Sequence, residues 1–241
     1  MAPPRPASRS RTQRHRLSAP FMVLLFLALA TSSTVANAQL SDSYYDASCP
    51  AALLTIRTVV SAAVLLDPRM GASLLRLHFH DCFVQAIKLS LLGAPSWTVL
   101  LGRRDSTTAS ASLANSDLPA PSSTLATLLA AFSNKGLTTT DMVVLSGTSG
   151  DGSGLAPLDE SSPDAFDNGY FGGLLSQRGL LHSDQALFAG GGGSTDGLVR
   201  SYASSNDQFA SDFSTAMVKM GNISPLTGSA GDIRVNCRAV N

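Results

Sequence analysis

Apolar residues return at three- and four-residue intervals in nearly every patterned stretch of this chain, and sustained alternation with period two is almost absent. Together these restrict the polypeptide to a mainly helical architecture, because a stripe of period 3.6 cannot be buried by a strand. Residues 51–66 place Leu53, Ile56, Val60 and Ala63 on one stripe before Asp67-Pro68 halts it. Residues 70–83 continue as a second helix. Ser122 and Ser123 offer N-caps to a helix carrying Leu125, Leu128, Leu129 and Phe132, which Lys135-Gly136 ends. A short helix is expected over 139–145. Residues 163–177 align Phe166, Tyr170 and Leu174, with Gly179 as the cap. Ser194 starts a helix through Tyr202, and 207–220 stack Phe209, Phe213, Met217 and Met220. One short strand is predicted near 98–101. Residues 146–155 carry no apolar face and read as a linker, or as a place where sequence is missing.

The first 38 residues have the parts of an export signal. A basic start (Arg5, Arg9, Arg11, Arg14, Arg16) precedes an apolar run over 21–30 and a small-residue site, Ala36-Asn37-Ala38, ahead of Gln39. That run is too short to cross a hydrocarbon core, which takes about 20 residues. Cleavage after Ala38 leaves 203 residues, the size of one domain with a workable core. The whole chain balances 17 basic against 17 acidic residues; the leader removes five arginines and no acid, so the remainder carries a formal charge of −5. Such a balance argues against nucleic acid or anionic membranes as partners. Three cysteines remain, Cys49, Cys82 and Cys237. Export places them where thiols usually pair, and three cannot all pair within one chain.

The densest chemistry lies at Arg76-Leu-His-Phe-His-Asp-Cys-Phe83. On a helix Arg76 and His80 are four apart and share a face, with Phe79 beside them. A fixed cation and a proton acceptor over one small volume can deprotonate a small molecule and stabilise the charge that develops as a bond breaks. A zinc or copper site on His78 and His80 is excluded by the same helix, which turns them about 200° apart. The glycine run at 189–193 lacks the Gly-Lys-Ser/Thr ending of a phosphate cradle and reads as a surface loop. Asn222-Ile-Ser224 is a formal glycosylation acceptor, weakened by Pro225.

These pieces occur in an order that resembles the secretory plant haem peroxidases, the class III peroxidases. Gln39-Leu40, Tyr44-Tyr45 and Ser48-Cys49-Pro50 look like the family's mature start, and 75–85 like its distal haem helix. Pro95-Ser-Trp97 through Gly102-Arg-Arg-Asp-Ser106, Leu118-Pro-Ala-Pro121, Ser161-Ser-Pro163 with Phe166-Asp-Asn168, and Leu180-Leu-His-Ser-Asp-Gln185 follow in turn. Met217 to Leu226 and Ile233 to Cys237 are similar to the family's carboxy-terminal part. The resemblance implies an all-α fold of two lobes with minimal β, distal over 39–135 and proximal over 136–241. It implies haem b, two calcium ions, hydrogen peroxide and small phenolic donors, in a monomer secreted to the cell wall or held in the vacuole. By resemblance His80 is the catalytic base, Arg76 the charge stabiliser and Phe79 the wall of the pocket. Pro119 would meet the donor through its carbonyl. Asp81 and Val84 would begin one calcium site; Asp159, Ser162, Ala165 and Asp167 would form the later part of the other. Asp184 would orient the iron-ligating histidine.

Two departures accompany the resemblance. After Gln85 the family continues Gly-Cys-Asp-Ala-Ser and a long further segment, whereas this chain reads Ala86-Ile-Lys and rejoins near Leu92-Gly-Ala-Pro95. After Leu145-Ser-Gly147 the family reads Ala-His-Thr-Ile-Gly, whose His holds the iron; this chain reads Thr148-Ser-Gly-Asp. Its four histidines are His15, His78, His80 and His182, and none stands at that position. Both calcium sites are expected to be incomplete, and the partners that the resemblance implies for all three cysteines fall in the absent segments. The chain is expected to be impaired as an enzyme. The alternative is a non-catalytic secreted remnant, produced by splicing, gene decay or an error in the gene structure.

Overall fold

The computed structural model describes residues 40–84 (backbone only for 81–84), 98–108, 110–147, 162 and 165–236. The leader, the junction after Gln85, Asp159 and Cys237 lie outside them, as do the side chains of Asp81, Cys82 and Val84. Helices α1 (Ala52–Leu66), α2 (Arg69–Val84), α3 (Ala111–Asp117), α4 (Leu125–Asn134) and α5 (Thr139–Ser146) come first. They are followed by α6 (Gly169–Leu175), α7 (His182–Gln185), α8 (Asp196–Ser204) and α9 (Asn206–Gly221). The mainly helical class holds. In place of a strand near 98–101 the described residues show two isolated antiparallel bridges, Ser41 with Leu101 and Asp105 with Asp232.

Helix starts follow side-chain chemistry. Thr138 and Asp141 form a reciprocal capping box at α5, and Ser205 accepts from the Gln208 amide at α9. At α4 the cap is Thr124, one residue beyond the serines expected from sequence; Ser123 is buried and accepts from the Ala120 amide instead. At α8 the cap is Thr195 rather than Ser194, and its hydroxyl is spent on the Leu187 carbonyl at 2.6 Å. The helix expected over 163–177 is shorter. Phe166 lies ahead of it, stacked on Phe209 and tilted against Phe213, and α6 closes at Ser176 with Gln177 at φ 58°, so Gly179 is not its cap.

The core is assembled on α5. Met142, Val143, Val144 and Leu145 are all buried, so this helix has neighbours on every side. Leu128 and Phe132 of α4, Tyr170, Phe171 and Leu174 of α6, Val199 and Tyr202 of α8, and Phe209, Phe213 and Met217 of α9 complete one buried cluster. It runs without a break across residue 135, the expected lobe boundary. By contrast α1 buries Val60 alone. An ion pair staples α9 to α5: the exposed Lys219 Nζ donates to the buried Asp141 at 2.9 Å. Lys135 reaches back to Asp117 at 2.6 Å and ties the end of α4 to α3. Among the described residues no helix is long and apolar enough to cross a membrane.

Candidate active site

Helix α2 carries Arg76, Phe79 and His80. Phe79 packs against the core, its ring centroid 5.9 Å from that of Phe132 in α4 and 6.0 Å from that of His80. This contact fixes the direction in which α2 presents its other side chains. His80 is half-buried and Arg76 exposed. Burial, and then the Arg76 guanidinium, hold the His80 imidazole below its usual range. His80 is therefore neutral at pH 7 and able to accept a proton. Arg76, Phe79 and His80 stand at i, i+3 and i+4 of one helix, the spacing that places a base, a cation and an aromatic ring near one another. His78 points elsewhere: it is buried, with Nε2 close to Gly221 at the end of α9. The two histidines do diverge, and among the described residues no cluster of His, Cys, Asp or Glu could hold a metal ion.

Pro119 lies half-buried in the extended segment after α3, which packs on α2. Ser162, Ala165 and Asp167 come together in one turn, but their groups are engaged with each other. The Ser162 hydroxyl donates to Asp167 Oδ1 at 2.9 Å, the Gly169 amide donates to the same oxygen at 2.9 Å, and the Ala165 amide donates to the Ser162 carbonyl. That turn starts α6. Asn168 fastens it by donating to the carbonyls of Tyr202 and Ala203 where α8 ends.

Asp184 is buried at the start of α7. Its Oδ2 accepts from the Leu181 amide at 2.8 Å and its Oδ1 from the Tyr170 hydroxyl at 3.2 Å. Burial raises the carboxyl above its usual range against the pull of those two donors, and burial with the carboxylate beside it raises the Tyr170 hydroxyl well above its own. Sequence reading missed Tyr170 in this role, since it assigned that ring to an apolar stripe. Two residues away, His182 is exposed.

Haem in a peroxidase hangs from an axial imidazole. In this chain the carboxylate that would orient such a ligand takes its hydrogen bonds from a phenol and a backbone amide, and no imidazole stands beside it among the described residues. The nearest histidine in sequence faces solvent. The residues present do not fit haem held in that way.

Residues 56–92, 85–149 and 148–205 match the family described as Peroxidase. The chain belongs to the plant haem peroxidases. It is 46% identical to Peroxidase 22.3 of Oryza sativa subsp. japonica over 309 aligned positions, which span 90% of this chain and 96% of that protein. It is 44% identical to a peroxidase of Triticum aestivum over 302 positions (89% and 96%) and 39% identical to the lignin-forming anionic peroxidase of Nicotiana sylvestris over 324 (95% and 99%). The peroxidase family consists of oxidoreductases acting on hydrogen peroxide, and its plant members are haem enzymes. This member is internally shortened. Ninety per cent of the chain is about 217 residues, so about 90 of the 309 positions shared with the rice peroxidase are gaps on this side. The family match also breaks in two places, at 85–92 and at 148–149, which are the two departures read from the sequence.

Proposed function

We propose that this chain is an exported peroxidase-family protein that keeps the family's proton-handling helix but not its means of holding iron, so that peroxide turnover with phenolic donors is impaired. The missing histidine after Gly147 carries the reading. Where the family reads Ala-His-Thr after the Leu-Ser-Gly, this chain reads Thr148-Ser-Gly, so Ser149 stands where the family places the ligand itself.

His80 would take a proton from hydrogen peroxide, Arg76 would stabilise the resulting anion and Phe79 would screen the pocket. Pro119 would offer its carbonyl to a phenol. Asp81 and Val84, and Asp159, Ser162, Ala165 and Asp167, stand where the family's two calcium ions would be held; the Gly-Cys-Asp-Ala-Ser run that follows in the family is absent after Gln85, which favours incomplete sites. The leader over 1–38 supports export to the cell exterior or the vacuole, with 39–135 and 136–241 as the two lobes.

The test is reconstitution of the refolded chain with haem, followed by absorption and guaiacol oxidation. Turnover at least a thousandfold below an intact relative, with no sharp Soret band, is expected. A sharp band and relative-like turnover, both abolished by His182→Ala, would show that His182 serves as the axial ligand and overturn the reading.

A further inference from the structure

Of the eight asparagines in the chain, Asn168 alone is followed by glycine. That dipeptide is the one most open to loss of the side-chain amide, because glycine has no Cβ to shield the nitrogen that attacks. It also sits at a junction. Asn168 Nδ2 donates to the carbonyls of Tyr202 at 2.8 Å and Ala203 at 3.1 Å, where α8 ends. The Gly169 amide donates to Asp167 Oδ1 at 2.9 Å as α6 begins. Both hydrogens of the side-chain amide are thus in use, and so is the backbone N–H that would have to attack. The backbone is set against the reaction as well. A ring through Cα, Cβ, Cγ and the Gly169 nitrogen needs Cβ and that nitrogen eclipsed about the Cα–C bond. Tetrahedral geometry puts this at a ψ of about −120°, outside the regions an L-residue ordinarily populates. Asn168 stands at φ −94° and ψ 13°, over a third of a turn away.

We propose that Asn168 is a deamidation site closed by the fold and released when the α6–α8 junction opens, and that its conversion makes the opening irreversible. In the step itself the Gly169 nitrogen forms a bond to Asn168 Cγ and gives up its proton, the Cγ–Nδ2 bond breaks, and ammonia leaves. Water then opens the cyclic imide at either carbonyl, giving aspartate or isoaspartate. One water is consumed and one ammonia released. Nothing is oxidised or reduced, so the reaction needs only solvent.

Either product is wrong for the junction. A carboxylate has no proton to offer the Tyr202 and Ala203 carbonyls, and it sets a negative charge against two acceptor oxygens. Isoaspartate also lengthens the main chain by one carbon just before α6, so the turn that ties Asp167 to Gly169 no longer closes. Behind that turn lie Phe171 and Tyr202, both fully buried, with ring centroids 5.1 Å apart. A molecule caught open for long enough therefore cannot restore the contact between α6 and α8. Its loss is governed by the rate of conversion and not by the folding equilibrium. The converted fraction records how long the population has spent open.

The test is incubation of the purified full-length chain in mildly alkaline buffer, folded and in concentrated urea, with thiols kept reduced and conversion read by peptide mapping for aspartate and isoaspartate. In urea Asn168 is expected to convert faster than any other asparagine. In the folded chain the same residue converts at least a hundredfold more slowly, because the rate follows the fraction open. Gly169→Ala keeps the Asn168 amide and places a good helix former at the start of α6. It holds the parent's urea midpoint while converting at least tenfold more slowly in urea, since its Cβ now crowds the nitrogen. Asn168→Asp writes in one product directly and lowers the midpoint. Equal rates in the folded and unfolded chain, faster conversion at another asparagine in urea, or an Asn168→Asp chain as stable as the parent overturns the proposal.

Discussion

Tyr170 and Asp184 show how a single contact changes what a residue does. A buried carboxylate needs donors, and this one takes a phenol from α6 and an amide from its own turn. Tyr170→Phe removes the phenol and leaves the acid short of a partner, an expected loss of about 1–3 kcal/mol in unfolding free energy by urea titration. Its pH signature has a definite sign. Burial, the largest influence, raises the folded Asp184 carboxyl above its ordinary 3.8. Its contribution is therefore complete below about pH 4 and is lost as pH rises through the folded value. Asp141 runs the other way. Burial pushes it up, but the Lys219 ammonium and the amide and hydroxyl of Thr138 together outweigh burial and hold it low. Its contribution is present above the unfolded value and is lost as pH falls through the folded one. Stability measured from pH 3 to 7 in Asp184→Asn and Asp141→Asn should lose the falling and the rising segment respectively.

At the level of helices, legibility followed periodicity. Helices α1, α2, α4, α5 and α9 were readable because apolar residues repeat along them, and the two-residue offset of His78 and His80 correctly set those rings apart. Helix α7 spans four residues, too few to show a period, and α3 offers no buried residue at all. The α6 stripe read too long because Phe166 packs on Phe209 and Phe213 from a turn, which apolarity alone cannot distinguish from a helix. The Tyr170–Asp184 contact joins residues 14 apart across two helices, so no local pattern announces it. The caps at Thr124 and Thr195 each lay one residue past the serines expected. Thr138→Ala breaks the box at α5 and is expected to cost about 1 kcal/mol, with Thr138→Ser recovering most of it in thermal denaturation.

Across the whole molecule, burial is lopsided. The large aliphatic and aromatic side chains below a tenth exposed, Val60 apart, fall between Leu128 and Met220, although described residues begin at Leu40. Opening free energy should follow that distribution, because a helix with few buried contacts opens without disturbing the rest. Amide hydrogen exchange on the reduced chain is expected to protect α5 and α9 to the level of global unfolding, and α1 at least a hundredfold less. Equal protection of α1 and α5 would contradict this distribution.

Helix α5 turns no side toward water over four consecutive residues. Mutational tolerance ought therefore to collapse from Met142 to Leu145, with even methyl-sized trimming felt there, while most of α1 accepts replacement freely.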